Sequence, residues 1–144
     1  MMTLDRVAFD MSMRRLLDAI ERAGKKSVPD GVKAAWTSAE RTTLYRDRTG
    51  KTRRSLIGTW DDYKGKLRSG GATRWIENGT PPHEIAARRA PTLKFQVNGQ
   101  WRSPKSVQHR GTTARPFMAE ASRVGERALE FSLEVNTNDA IGRH

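Results

Sequence analysis

The clearest pattern along the chain is an apolar stripe over residues 4–23, where Phe9, Met13, Leu16, Leu17 and Ile20 recur at spacings of three and four. That period predicts an amphipathic helix. Thr3 is placed to cap it, Asp5 sits near its positive end, and Gly24 is expected to stop it. Pro29 suits a first helical turn and predicts a second helix through Ala34, Ala35, Trp36, Ala39 and Thr43 to Tyr45. Residues 46–54 contain no apolar side chain and read as an exposed, mobile loop. From Leu56 the period becomes two: Leu56, Gly58 and Trp60 alternate, as do Tyr63, Gly65 and Leu67. A turn at Asp61-Asp62 would set Trp60 opposite Tyr63 and Leu56 opposite Leu67, with all four large side chains on one face.

A short helix is expected over residues 72–77, carrying Trp75 and Ile76 and ended by Asn78-Gly79. Pro81-Pro82 opens an irregular stretch. Leu93, Phe95 and Val97 then alternate with Lys94 and Gln96 as a half-buried strand, and Asn98-Gly99 is a strong hairpin signal. A strict two-residue turn there pairs Gln96 with Trp101, on the face away from Phe95. Either that face is also covered or the loop is longer. Pro116 opens a last helix whose stripe is Phe117, Ala121, Val124, Ala128, Phe131 and Val135. This stripe is expected to pack on the face carrying Leu93 and Phe95, and polar residues 136–144 are expected to fray. The order predicts one α+β domain over residues 1–144: a small antiparallel sheet packed by N-terminal helices and a long C-terminal helix. Its parts are a helical region (1–45), a basic loop (46–55), the sheet and last helix (56–135) and a tail (136–144). No internal repeat is visible.

Charge changes the picture. Lys and Arg total 27 against 16 Asp and Glu, a net of +11, which favours polyanionic partners. Residues 41–68 hold nine basic side chains against three acidic ones. Arg46, Arg48, Lys51, Arg53 and Arg54 are the candidate partner contacts. The chain has no cysteine, so disulfides, thiolate metal sites and a cysteine nucleophile are excluded. No apolar run is long enough to cross a membrane. Met1 to Arg6 lacks the features of a signal peptide, so a cytoplasm-like compartment is expected and Asn78-Gly79-Thr80 is read as a chance glycosylation match.

Catalytic constellations are missing from the pattern. His83, His109 and His144 have no second ligand at metal spacing, and neither metal nor cofactor is expected. No nucleophile elbow occurs. Thr49-Gly50-Lys51-Thr52 matches the end of a phosphate loop but lacks the glycines that should precede it. Glu77 and Glu84 read as exposed carboxylates rather than an acid–base pair. Trp36, Trp60, Trp75 and Trp101 are more readily core fillers than base-stacking platforms. The expectation is a protein without enzymatic activity.

From Ser55 onward the chain resembles the tail-component family of long-tailed siphophages, the neck, tail-completion or head–tail joining proteins. The resemblance rests on an ordered set of pieces: Thr49-Gly50 through Ser55-Leu56, Trp75-Ile76-Glu77-Asn78-Gly79-Thr80, His83-Glu84-Ile85, Leu93-Lys94-Phe95, Val107-Gln108-His109-Arg110-Gly111 and Ala114-Arg115-Pro116-Phe117-Met118-Ala119-Glu120-Ala121. It covers roughly the last two thirds of the chain. Arg110 stands where the family has Pro, and Ala86-Ala87-Arg88-Arg89 lacks the family's Pro after the Ile. The motif residues Trp75, Glu77, Gly79, Thr80, Leu93, Phe95, His109, Gly111, Arg115, Pro116 and Phe117 also make sense as folding residues: turns at the glycines, a helix start at Pro116, core at Phe95 and Phe117, and Glu77 bonded to backbone or to an arginine.

The resemblance implies a structural subunit of a bacteriophage head–tail connector ring in the virion, assembled in the host cytoplasm. Six copies are favoured and twelve are the alternative. The implied neighbours are head-closure or adaptor proteins and tail-terminator or tail-tube proteins, with DNA passing through without sequence-specific binding and no membrane contact. The basic loop would line the DNA channel or grip an acidic face of an adjacent ring, the second being favoured. The rival reading is a free basic nucleic-acid-binding protein; a nuclease or toxin-like enzyme has no specific feature behind it.

Overall fold

A computed structural model describes residues 6–142; the side chains of residues 6–9 are outside that description, and so are the proposed cap at Thr3, the Asp5 and Phe9 placements and His144. The fold is α+β. Its frame is an antiparallel pair of long helices, α1 (Arg6–Arg41) and α4 (Phe117–Ile141). Between them the chain forms α2 (Lys51–Arg54), β1 (Ile57–Trp60), β2 (Gly65–Arg68), α3 (Thr73–Asn78), β3 (His83–Ala86), β4 (Phe95–Val97), β5 (Gln100–Arg102) and β6 (Ser106–His109). The strands pair as three antiparallel two-stranded ladders, β1–β2, β3–β6 and β4–β5.

The two expected N-terminal helices are one. Gly24 and Pro29 both lie inside α1. An interior proline removes a backbone hydrogen bond and costs about 3 kcal/mol, and an interior glycine about 1 kcal/mol. Packing on both sides of Pro29 outweighs this: Ala23, Ser27, Val28, Gly31, Val32, Ala35 and Ala39 are all buried. Ser27 donates to the Ala23 carbonyl at 2.8 Å and accepts from Asn136 Nδ2 at 3.0 Å.

The face of α4 that meets α1 also differs from the expected stripe. Its buried residues are Phe117, Ala121 and Gly125, followed by half-buried Ala128, Leu129, Ser132 and Asn136, whereas Val124, Phe131 and Val135 are exposed. Leu93 and Phe95 are only half-buried, and the partner of α4 is α1. Small side chains let the two backbones approach. A Cβ on Gly125 would lie 2.8 Å from both Ala35 Cβ and the Gly31 carbonyl oxygen. Ser132 donates to Asp30 at 2.6 Å and accepts from Asn136 at 3.1 Å. Residues 136–141, expected to fray, therefore belong to the helix.

The β1–β2 hairpin packs on α1 in a register different from the predicted one. Trp60 pairs with Gly65 and Gly58 with Leu67, leaving a four-residue connection. The Asp61 carboxylate accepts from Tyr63 N at 2.9 Å and Lys64 N at 2.8 Å, and these two bonds select the longer turn. They also hold the Asp61 carboxyl below its ordinary pKa. Gly58 and Gly65 then bring the ladder against Val32; a Cβ on Gly58 would stand 2.9 Å from Val32 Cγ1. Lys25 anchors the turn through Glu21 at 3.0 Å and Asp62 at 3.2 Å, while Tyr63 donates to Glu21 at 2.7 Å. The Tyr63 hydrogen bond, then Lys25, lower the Glu21 pKa, and Glu21 and Asp62 raise that of Lys25.

The core closes where α1 ends and α4 begins. Ala39, Tyr45, Leu56, Phe117 and Ala121 cluster there, with Leu67, Ile76 and Met118 against them. β3, inside the stretch expected to be irregular, and β6, where no strand was expected, pair Ile85 with Val107 and His83 with His109. The β4–β5 turn is the strict two-residue form, with φ of 49° at Asn98 and 81° at Gly99. It pairs Gln96 with Trp101, and Trp101 is 72% exposed, so the face away from Phe95 is uncovered.

Candidate partner-binding cleft

The segment expected to be a bare loop is folded by polar contacts. Asp47 accepts from Arg53 N at 2.9 Å, and backbone donors led by that one lower its carboxyl pKa. Arg53 turns inward: its guanidinium donates to the Glu40 carbonyl and, at 2.7 Å, to the Thr42 carbonyl, and lies 5.3 Å from the Tyr45 ring centroid. These carbonyls lie in and just after the last turn of α1, where backbone acceptors lack helical partners. Arg54 donates to the Thr49 carbonyl at 2.8 Å. Arg53, half-buried, and Arg54, exposed, thus both bond within their own segment. Arg46, Arg48 and Lys51 are exposed.

The motif residues divide into two groups. Glu77 caps α4 with both carboxylate oxygens, accepting from Met118 N at 2.9 Å and Ala119 N at 3.0 Å. Arg115 N donates to the Ile76 carbonyl at 2.8 Å. Thr80 and Thr112 exchange two backbone hydrogen bonds at 3.0 Å, and their hydroxyls meet at 3.1 Å. Gly79 and Gly111 flank this bridge at φ of 69° and 84°, and a Cβ on either would run into the opposite threonine carbonyl. Pro116 precedes the first helical residue, Phe117, which is 1% exposed. His109 Nδ1 accepts from Gly111 N at 3.1 Å, and its ring centroid is 5.0 Å from that of His83. Leu93 and Phe95 stand apart on the β4–β5 side.

The second group meets the basic segment. Arg46, Arg48, Trp75, Gly111 and Arg115 line one cleft of about 720 Å³, closed by Thr112 and Thr113. Trp75 is 56% exposed, and Arg74 lies 5.6 Å from its ring centroid. Among the described residues the ion pairs are those of Lys25, so no carboxylate pairs with Arg46, Arg48 or Arg115. The single acidic wall residue, Asp47, has its carboxylate engaged with backbone donors. Three arginines, a tryptophan and two threonines line it together, and arginine can present paired donors to the oxygens of a carboxylate or phosphate. Nothing in the arrangement positions a nucleophile beside a base. Among the described residues no group of His, Asp and Glu could hold a metal ion.

Sequence reading singled out Arg46 and Arg48 but missed Asp47, Thr112 and Thr113. The Asp-x-Thr-Gly run at Asp47–Gly50 carries a legible turn signal that would have revealed folding around Asp47. The threonines take part through tertiary placement, which no local pattern reports. No protein-family model, curated protein or solved structure matches the chain.

Proposed function

We propose that this protein is a structural subunit of a bacteriophage head–tail connector ring, acting in the neck to join the filled head to the tail. The observation that carries this reading is how much binding surface a single subunit leaves unsatisfied. The cationic cleft sets three arginines against the single carboxylate of Asp47, the strand-rich segment after α3 carries an exposed tryptophan, and the N-terminal part of α1 exposes Met11, Met13 and Leu17. The ordered motif set around Glu77, Gly79, Gly111, Pro116 and Phe117 adds the family resemblance. In this reading identical subunits close a ring by head-to-tail contacts, six copies being favoured over twelve. Head-closure or adaptor proteins and tail-terminator or tube proteins are its neighbours, and DNA passes through the centre. The cleft grips an acidic face of an adjacent ring. A dense cationic lining of the channel would instead bind each passing phosphate and slow DNA exit.

The net charge of +11 favours a second reading, a free nucleic-acid-binding protein. Mass measurement and electron microscopy of the purified protein, alone and mixed with tails, separate the two. Rings that seat on tail ends are expected. A protein that stays monomeric at all concentrations and binds duplex DNA with steep salt dependence would replace the connector reading.

A further inference from the structure

The walls of the cationic cleft come from segments distant in sequence, and each is held by its own bonds. One wall is the basic segment from Tyr45 to Thr52, fixed by the Asp47 carboxylate and by the inward turn of Arg53. The opposite wall runs from α3 past the Thr80–Thr112 bridge to Arg115, whose N–H is bonded to the Ile76 carbonyl. The cleft is therefore built before any partner arrives, and its volume of about 720 Å³ falls within the roughly 300–1,000 Å³ typical of ligand sites. Its charge is one-sided. Arg46, Arg48 and Arg115 are exposed and, among the described residues, form no ion pair. The one wall carboxylate, Asp47, is already bonded to Arg53 N. Apolar surface lies beside this charge at the half-exposed Trp75. Thr113, next to the bridge, is exposed and among the described residues makes no backbone–backbone hydrogen bond, so one N–H and one carbonyl are open there.

We propose that this cleft receives an acidic peptide segment of a neighbouring protein, with carboxylates on Arg46, Arg48 and Arg115, main chain along Thr113 and an apolar side chain against Trp75. Carboxylates suit the arginines, because a guanidinium offers two parallel N–H donors to one planar anion. The open backbone at Thr113 favours a peptide over a nucleic acid. It offers one donor and one acceptor, and a peptide main chain returns both, whereas a sugar–phosphate backbone of DNA returns acceptors alone. Walls that are already bonded in place lose little freedom when the segment enters, which leaves more of the contact energy for binding. This inference rests on the connector reading and names what the cleft takes from the adjacent ring, an inserted acidic segment.

The test uses the full chain and follows indole emission during titration with a short peptide of glutamates flanking a leucine. Saturable binding is expected, with an emission change that Trp75→Phe removes. Arg46→Gln with Arg48→Gln, and Arg115→Gln alone, should each weaken binding at least about tenfold. These side chains are exposed, so the variants should melt with the parent. Arg88→Gln with Arg89→Gln, exposed on the strand-rich arm from β3 to β6, removes the same charge as the first pair outside the cleft. Screening should keep its effect within about twofold. An equal loss in that control, equal binding of the same peptide with glutamine in place of glutamate, or tighter binding of oligothymidylate of matching length would overturn the proposal. Rings that form while the peptide goes unbound overturn it and leave the connector reading standing. Peptide binding by a chain that never forms rings keeps the site and overturns the connector reading.

Discussion

Tyr45 is buried where the two long helices meet, its ring 4.7 Å from that of Phe117, yet its hydroxyl has no hydrogen-bond partner among the described residues. A buried, unsatisfied hydroxyl costs about 1–3 kcal/mol. Tyr45→Phe keeps the ring packing and removes that cost, so thermal melting should show the variant more stable by about 1 kcal/mol. Burial raises the Tyr45 pKa, which gives the comparison a pH signature. Stability held by the neutral hydroxyl is present below the ordinary tyrosine value of about 10 and is lost as pH rises from there towards the folded value. The advantage of Tyr45→Phe should therefore widen in alkali; an equal gap at neutral and alkaline pH would contradict the assignment. Asp47 behaves oppositely. Its lowered pKa contributes stability above the ordinary aspartate range of about 3.9, lost as pH falls through the lower folded value. Asp47→Asn should melt lower at neutral pH and converge with the parent in strong acid. Glu77→Ala uncaps α4 at two backbone donors and should cost about 1–2 kcal/mol by melting.

At the scale of elements, glycine decides the helix pair. Gly125→Ala gains about 1 kcal/mol in helix propensity, but its methyl would stand 2.8 Å from Ala35 Cβ and from backbone at Gly31. Overpacking against backbone costs about 1–3 kcal/mol, so the clash should win and the variant should melt lower. Phe117→Ala should cost about 3–5 kcal/mol, as expected of a fully buried ring, whereas Phe131→Ala should stay within about 0.5 kcal/mol of the parent. The period of α4 was legible because apolar residues recur at threes and fours. Its buried face was not, because the reading weighted large apolar side chains while the contact is made by Ala121, Gly125, Ser132 and Asn136. Their value lies in letting two backbones approach and in bonding across the pair. Pro29 misled for a related reason: a local helix signal was outweighed by burial that only the distant α4 supplies. Both hairpins were readable, but the Asp61 carboxylate holds the first to a four-residue connection, and the strict second turn leaves Trp101 on an uncovered face.

For the whole molecule, the sequence displayed the excess of charge but not its division. The basic segment 41–68 looked like the obvious contact, yet Arg53 and Arg54 are used to close α1 and their own loop, and the exposed cations are spread over the cleft and the arm while α4 carries acid. Such a division appears only when elements distant in sequence are placed side by side. Its energetic consequence can be measured in one titration. The described residues contain ion pairs only at Lys25, so a net charge of +11 meets little internal compensation. Self-repulsion then opposes the compact state, and salt relieves it once the Debye length falls to about 10 Å near 0.1 M. The exposed Lys25 pairs are weakened by the same screening, but exposed pairs contribute at most about 1 kcal/mol, less than the summed repulsion of so many like charges. The melting temperature of the monomer should therefore rise as sodium chloride increases from about 0.02 to about 0.2 M. A monomer whose melting temperature falls across this range would mean that internal ion pairs, not repulsion, dominate its electrostatics.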